Sequence, residues 1–191
     1  MNREEWLTKA VLKLRDVFTR NGLELPQNIV VSCGWPSKSV GKCIGECWSH
    51  DQSDGGVFEI FISPRLSTVS SESGVLATLT HELLHASIGT EYGHKAPFKK
   101  AMKKIGLEGK PSATVAGDAL MTELSAIAGY LGDYPHRSLN LKPKPERDPV
   151  RTLVKMQCPK DDCEYIIMVK TRLLDLGIPK CPVHDVPFEE A

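Results

Sequence analysis

The sequence has no net charge, because 24 lysines and arginines offset 24 aspartates and glutamates. No global field therefore draws in nucleic acid, and any such binding must come from a local patch. Long apolar runs are missing too. No stretch approaches the roughly 20 residues that span a bilayer, so no membrane partner is expected. The N-terminus is charged and amphipathic and lacks a secretory apolar region, which predicts a cytoplasmic protein. Disulfides are rare in that compartment. The six cysteines therefore read as metal ligands before they read as cross-links.

What is present is an ordinary globular composition, 41% apolar and 25% charged over 191 residues. That length suffices for one good-sized domain and a small module. The chain centres on His81-Glu82-Leu83-Leu84-His85. Val75, Leu76, Leu79, Leu83 and Ile88 mix i+3 and i+4 spacings, which predicts an amphipathic helix. Ser70, Ser71 and Ser73 are cap candidates, and Gly89 is a stop. Residues four apart share a helix face, so His81 and His85 can offer two imidazoles to one cation. Glu82 can reach a water on that cation. Neutral nitrogens, an open position and a carboxylate to take a proton are what a catalytic zinc needs.

Such a zinc takes three protein ligands. His94 is the best candidate, since the intervening residues include Gly89 and Gly93 and leave room for a turn. Glu91 is a rival. It stands where the metzincin pattern puts its third ligand, although that pattern wants glycine where Ile88 stands. A carboxylate from a later helix, Asp118 or Glu123, is the remaining choice. Tyr92, Tyr130, Tyr134 and His136 are candidate partners for a developing oxyanion.

Around the motif, Asn2-x-x-Glu5 has the form of a capping box. Trp6, Ala10, Val11, Leu14, Val17 and Phe18 then keep helical spacing up to Gly22. Asn28–Cys33, Ile44–Ser49 and Val57–Ser63 read as strands of an antiparallel sheet, with Phe58, Ile60 and Ile62 on one face. An edge strand there can pair with an extended substrate backbone. Cys33, Cys43, Cys47 and His50 are four further potential ligands, but their spacing matches no zinc knuckle. Packing of Cys47 against Cys33 is the simpler reading. Pro97–Ile105 is a helix whose Phe98, Met102 and Ile105 form one stripe. Its Lys99, Lys100, Lys103 and Lys104 form a basic face, either solvated surface or a contact for phosphates. Asp118–Leu131 is another helix.

Prolines 135, 143, 145 and 149 mark an extended linker. Beyond it, Cys158-x4-Cys163 and Cys181-x2-His184 flank a β-like run over Glu164–Thr171. Two close pairs around a strand describe a zinc ribbon, which metal binding rather than an apolar core would stabilise.

The combination of His81-Glu82-x-x-His85, Gly93-His94-x-x-x-Phe98, Met102 and Gly106 resembles the SprT-like metalloprotease domain, whose relatives include DNA–protein crosslink proteases. In that family the third ligand is the histidine of a Gly-His-Gly segment. Lys95 stands here where the family has its second glycine. The resemblance implies an α+β, zincin-like domain over 1–139 with a small antiparallel sheet packed on helices. A Pro-rich linker follows over 140–150, then a zinc ribbon over 151–191. It implies one catalytic zinc on His81, His85 and His94, with Glu82 as the catalytic base, and one structural zinc on Cys158, Cys163, Cys181 and His184. The activity implied is zinc-dependent endopeptidase hydrolysis of a protein substrate, with DNA as a candidate partner. Two alternatives stand beside it: a nucleic-acid-binding adaptor whose zinc sites are only structural, and a regulatory zincin that cuts one partner protein.

Overall fold

The computed structural model describes residues 1–37, 43–67, 72–139 and 153–191, with the backbone alone at 72 and 73. The chain divides into two compact units, Met1–Leu141 and Lys142–Ala191. The expected linker at 140–150 lies outside the described residues, as do the cap candidates Ser70 and Ser71.

The first unit opens with helix α1 (Arg3–Arg20). Asn2 Oδ1 accepts from the Glu5 N–H at 2.8 Å, and the Glu5 carboxylate accepts from the Asn2 N–H at 3.0 Å. This reciprocal cap satisfies two otherwise orphaned donors and is worth about 1 kcal/mol. The apolar face from Trp6 to Phe18 is fully buried. Strands β1 (Ile29–Cys33), β2 (Gly45–Trp48) and β3 (Phe58–Ile62) form one sheet in the order β1-β3-β2. Phe58, Ile60 and Ile62 bury one face of β3 by simple alternation.

That sheet is not wholly antiparallel, as the sequence suggested. β2 runs against β3, but β1 is parallel to it. The most apolar strand takes the centre, and β2, which precedes it in the chain, lies on its far side from β1. The first and third strands therefore run the same way, and both β1 and β2 become edges.

Helix α2 (Glu72–Ile88) packs beside β2 and buries Val75, Leu76, Leu79, Leu83 and Leu84. Each such side chain contributes about 1.5–3 kcal/mol. Ser73 lies inside this helix rather than at its cap. A 3-10 turn (Thr90–Tyr92) leads into helix α3 (Ala96–Ile105), which buries Phe98, Ala101, Met102 and Ile105. A hairpin that the sequence did not announce follows, β4 (Leu107–Lys110) and β5 (Ala113–Ala116). Helix α4 (Asp118–Leu131) closes the core against α1 and α2. The Trp6 indole N–H donates to the Gly132 carbonyl at 2.9 Å and ties the two ends of the unit together.

The second unit holds β6 (Val154–Gln157), β7 (Ile166–Val169), a single helical turn α5 (Thr171–Leu174) and β8 (Glu189–Glu190). Its antiparallel sheet has the order β7-β6-β8. Its core is five buried residues, Val154, Met156, Cys158, Cys181 and Phe188. The whole is a mixed α+β chain with small sheets packed on helices. No helix among the described residues is long and apolar enough to cross a membrane.

Candidate metal centre

His81 and His85 stand one turn apart on α2. The helix stops at Gly89 (φ +103°), and Gly93 (φ +47°) turns the chain back. A side chain at either position would strain the backbone. This double turn carries His94 to the pair. His94 Nε2 lies 3.2 Å from His81 Nε2 and 3.2 Å from His85 Nε2.

Three rings meeting in this way cannot satisfy one another, because His94 Nε2 carries at most one proton. A cation satisfies all three. Nitrogens about 2.05 Å from a tetrahedral ion sit roughly 3.3 Å apart, so the spacing fits one. All three rings rest on Phe98, with centroids 4.9, 4.4 and 5.0 Å from its ring. Phe98 is itself fully buried and forms a common floor.

Burial holds these imidazoles neutral. It lowers the pKa of His81 to about 4, helped by the charge of His94, and that of His85 to about 3, helped by both neighbours. His94 is lowered by burial as well. Neutral imidazole is the ligating form. His94 is exposed, so the centre opens to solvent on that side.

Glu82 points from α2 toward β2 and is only 6% exposed. Burial, with the nearby charge of Glu46, raises its pKa to about 8. No hydrogen bond reaches its carboxylate from the described residues. Cys47, on the same face of β2, is pushed up to about 12 by burial and by the charges of Glu82 and Glu46.

A cleft of about 310 Å³ runs past the histidines and Glu82. One wall is Cys43, Ile44 and Gly45; the other is Ser112, Ala113 and Thr114 of the hairpin. Thr114 Oγ1 lies 2.8 Å from His81 Nδ1. Thr114 was not among the site residues read from sequence, because nothing local marked the hairpin.

The rival ligands stand elsewhere. Glu91 and Asp118 are exposed, and Glu123 pairs with Arg20. None of them joins the group of donors around His94. The four oxyanion candidates also miss the cleft. Tyr134 is buried against Trp6, Tyr130 stacks under Lys13, and His136 sits between Arg3 and the Pro64 carbonyl. Tyr92 is exposed.

Cys33, Cys43, Cys47 and His50 form no metal-holding group among the described residues. Cys47 does not face Cys33 either: their strands are separated by β3. Both pack on the core, and the His50 ring rests on Phe58. On α3, Lys99, Lys100 and Lys103 are exposed. Lys104 is engaged, since its Nζ donates to the Gly22 carbonyl at 2.7 Å.

In the second unit, Cys158, Cys163, Cys181 and His184 converge with all donor atoms within 4.8 Å. Cys163 Sγ and Cys181 Sγ are 3.7 Å apart, and His184 Nδ1 lies 3.7 Å from Cys158 Sγ. Sulfurs about 2.3 Å from a tetrahedral zinc stand roughly 3.8 Å apart. Burial opposes the Cys181 thiolate, but the N–H groups of Val183 and His184 hold its pKa down to about 6. All six cysteines are free thiols.

Imidazoles converging from a helix and the turn after it, in one cleft with Glu82, make a group that could hold a metal ion in a mixed α+β protein. The sequence matches the SprT-like family over residues 9–116, more than half of its length. The chain belongs to the SprT-like family. No curated protein and no solved structure matches it.

Proposed function

We infer that the protein is a zinc-dependent endopeptidase. The observation that carries this reading is the convergence of three Nε2 atoms on one point, with Glu82 lining the same cleft. On this reading the first unit is zincin-like and holds the catalytic zinc on His81, His85 and His94. The second is a ribbon stabilised by a structural zinc on Cys158, Cys163, Cys181 and His184. A zinc ion bound by the three histidines would acidify a water and polarise a peptide carbonyl.

The protein's own groups do the rest. Glu82 accepts the proton of the attacking water and returns it to the leaving amine. Substrate lies along β2. Ser63 N–H donates to the Ile44 carbonyl at 2.9 Å, so alternation turns the backbone polar groups of Gly45 and Cys47 away from β3. These face the open edge, where an extended peptide can pair.

The substrate we assign is protein bound to DNA. Lys99, Lys100 and Lys103 support this reading, as exposed cations on a helix with no acidic residue.

The test compares wild type with Glu82→Gln. Both are purified, their zinc is counted, and cleavage of a basic DNA-bound protein is followed with and without single-stranded DNA. Glu82→Gln should keep its zinc and lose at least about 100-fold in rate. Equal cleavage by the two would refute the enzymatic role. Cleavage indifferent to DNA would remove the assigned substrate class.

A further inference from the structure

Glu82 is only 6% exposed as a residue and lines the cleft, yet no hydrogen bond from the described residues fixes its carboxylate. Its place must therefore be set by packing. The backbone of Gly45 on β2 packs directly against it. A methyl group at position 45 would lie 2.5 Å from Glu82 Oε1, 2.8 Å from its Cγ and 2.9 Å from its Cδ. Real side-chain carbons do not approach so closely, so the two cannot coexist without a shift. Gly45 is not there for backbone freedom, since it sits in a regular strand in register with Ile62 and is not among the residues with positive φ. Its contribution is the missing β-carbon.

We propose that Gly45 is a positioning residue for the general base: the vacancy above its Cα is the niche that holds the Glu82 carboxylate beside the histidines. The proposal rests on the peptidase reading for its kinetic consequence. The packing relationship itself does not depend on that reading. Glu82 is anchored at its own Cα by α2, whose neighbouring residues Leu79, Leu83 and Leu84 are fully buried. The helix cannot back away without disturbing the core. An added methyl is therefore accommodated by swinging the carboxylate. A misplacement of about 1 Å at a reacting group costs on the order of 100-fold in rate.

The same geometry separates two roles that position 45 could play. Gly45 also lies on the open edge, so a side chain there could instead obstruct the substrate. Obstruction would raise KM. Displacement of the base lowers kcat and leaves KM in place.

The experiment uses the full-length, zinc-loaded protein and four forms: wild type, Gly45→Ala, Glu82→Ala and the double variant. Zinc content, kcat, KM and Tm are measured. Gly45→Ala should keep its zinc, lose about 10–100-fold in kcat and hold KM within about twofold. It should lower Tm in the wild-type background and not in the Glu82→Ala background, where the niche is empty. If Gly45→Ala alone fails to fold while the double variant folds, the contact is upheld; if both fail, it is overturned. An unchanged kcat in Gly45→Ala, a rise confined to KM, or an equal fall in Tm in both backgrounds would also overturn it. If wild type cleaves nothing, the peptidase reading fails, and the Tm comparison alone still decides whether Gly45 shapes the place of Glu82.

Discussion

Thr114 Oγ1 lies 2.8 Å from His81 Nδ1, on the side of the ring opposite the nitrogen that meets His94. A hairpin thus holds the ring of a histidine in the candidate metal group. With Nδ1–H donating to the threonine hydroxyl, the His81 lone pair is committed to Nε2, where the three donors meet. Thr114→Val removes this partner at nearly constant volume. Zinc affinity of the first site, measured by competition with a chelator, should fall about 10–100-fold, and the Cys3His site should be unaffected.

His94 completes the ligand set from outside the helix. His94→Ala should lower bound zinc from two ions per chain to one, counted by atomic emission. It should leave the helical circular dichroism unchanged, because His94 is exposed and belongs to no helix.

Phe98 carries a prediction about stability as well as binding. It is fully buried and touches all three imidazole rings. Phe98→Ala should cost about 3–5 kcal/mol in denaturant unfolding. Phe98→Leu should cost less and still weaken zinc binding, since a flat floor under the rings is lost.

The pH dependence of the metal-free protein follows from the histidines. His81 and His85 have pKa values of about 4 and about 3, below the ordinary 6.5. Between those values the unfolded chain binds more protons than the folded one, so stability rises with pH across that window. This histidine contribution is fully present above about pH 6.5 and is lost as pH falls toward 3, while Glu82, raised to about 8, opposes it between about pH 4.5 and 8. Thermal unfolding of chelator-treated protein should show this loss, on the order of a few kcal/mol in all. His81→Ala should flatten the slope.

On the proposed reading, the second unit depends on a metal more than the first. Five buried residues make a small core, and metal binding would supply much of the folding energy. Chelation should abolish protection from hydrogen exchange in β6 and β7 and leave α1 and α2 protected.

Much of this was legible locally. The capping box at Asn2 and Glu5, the buried face of α1 and the motif helix were readable because their spacing repeats within a few residues. His94 was readable because Gly93 and Phe98 frame it. The hairpin was not. Leu-Glu-Gly-Lys and Ala-Thr-Val-Ala carry little strand preference, and their pairing is set by the core around them. Thr114 was lost with it. The direction of β1 was hidden because strand order is decided between distant segments. Gly45 fell unmarked inside the strand expected at Ile44–Ser49, because its role exists only against a side chain 37 positions later (82 − 45).

That distance has a consequence for how the protein matures. The three nitrogen donors come from one span of 14 residues (81 to 94), so a chain that has formed little beyond α2 and its following turn can already capture its ion. The niche for Glu82 exists only once β2 has docked, a step that closes a longer loop and comes at a higher entropic cost. On the peptidase reading, loading and competence are therefore separate events. On mild denaturation hydrolysis should vanish while the ion is still held, and newly made chains should pass through a charged but silent stage.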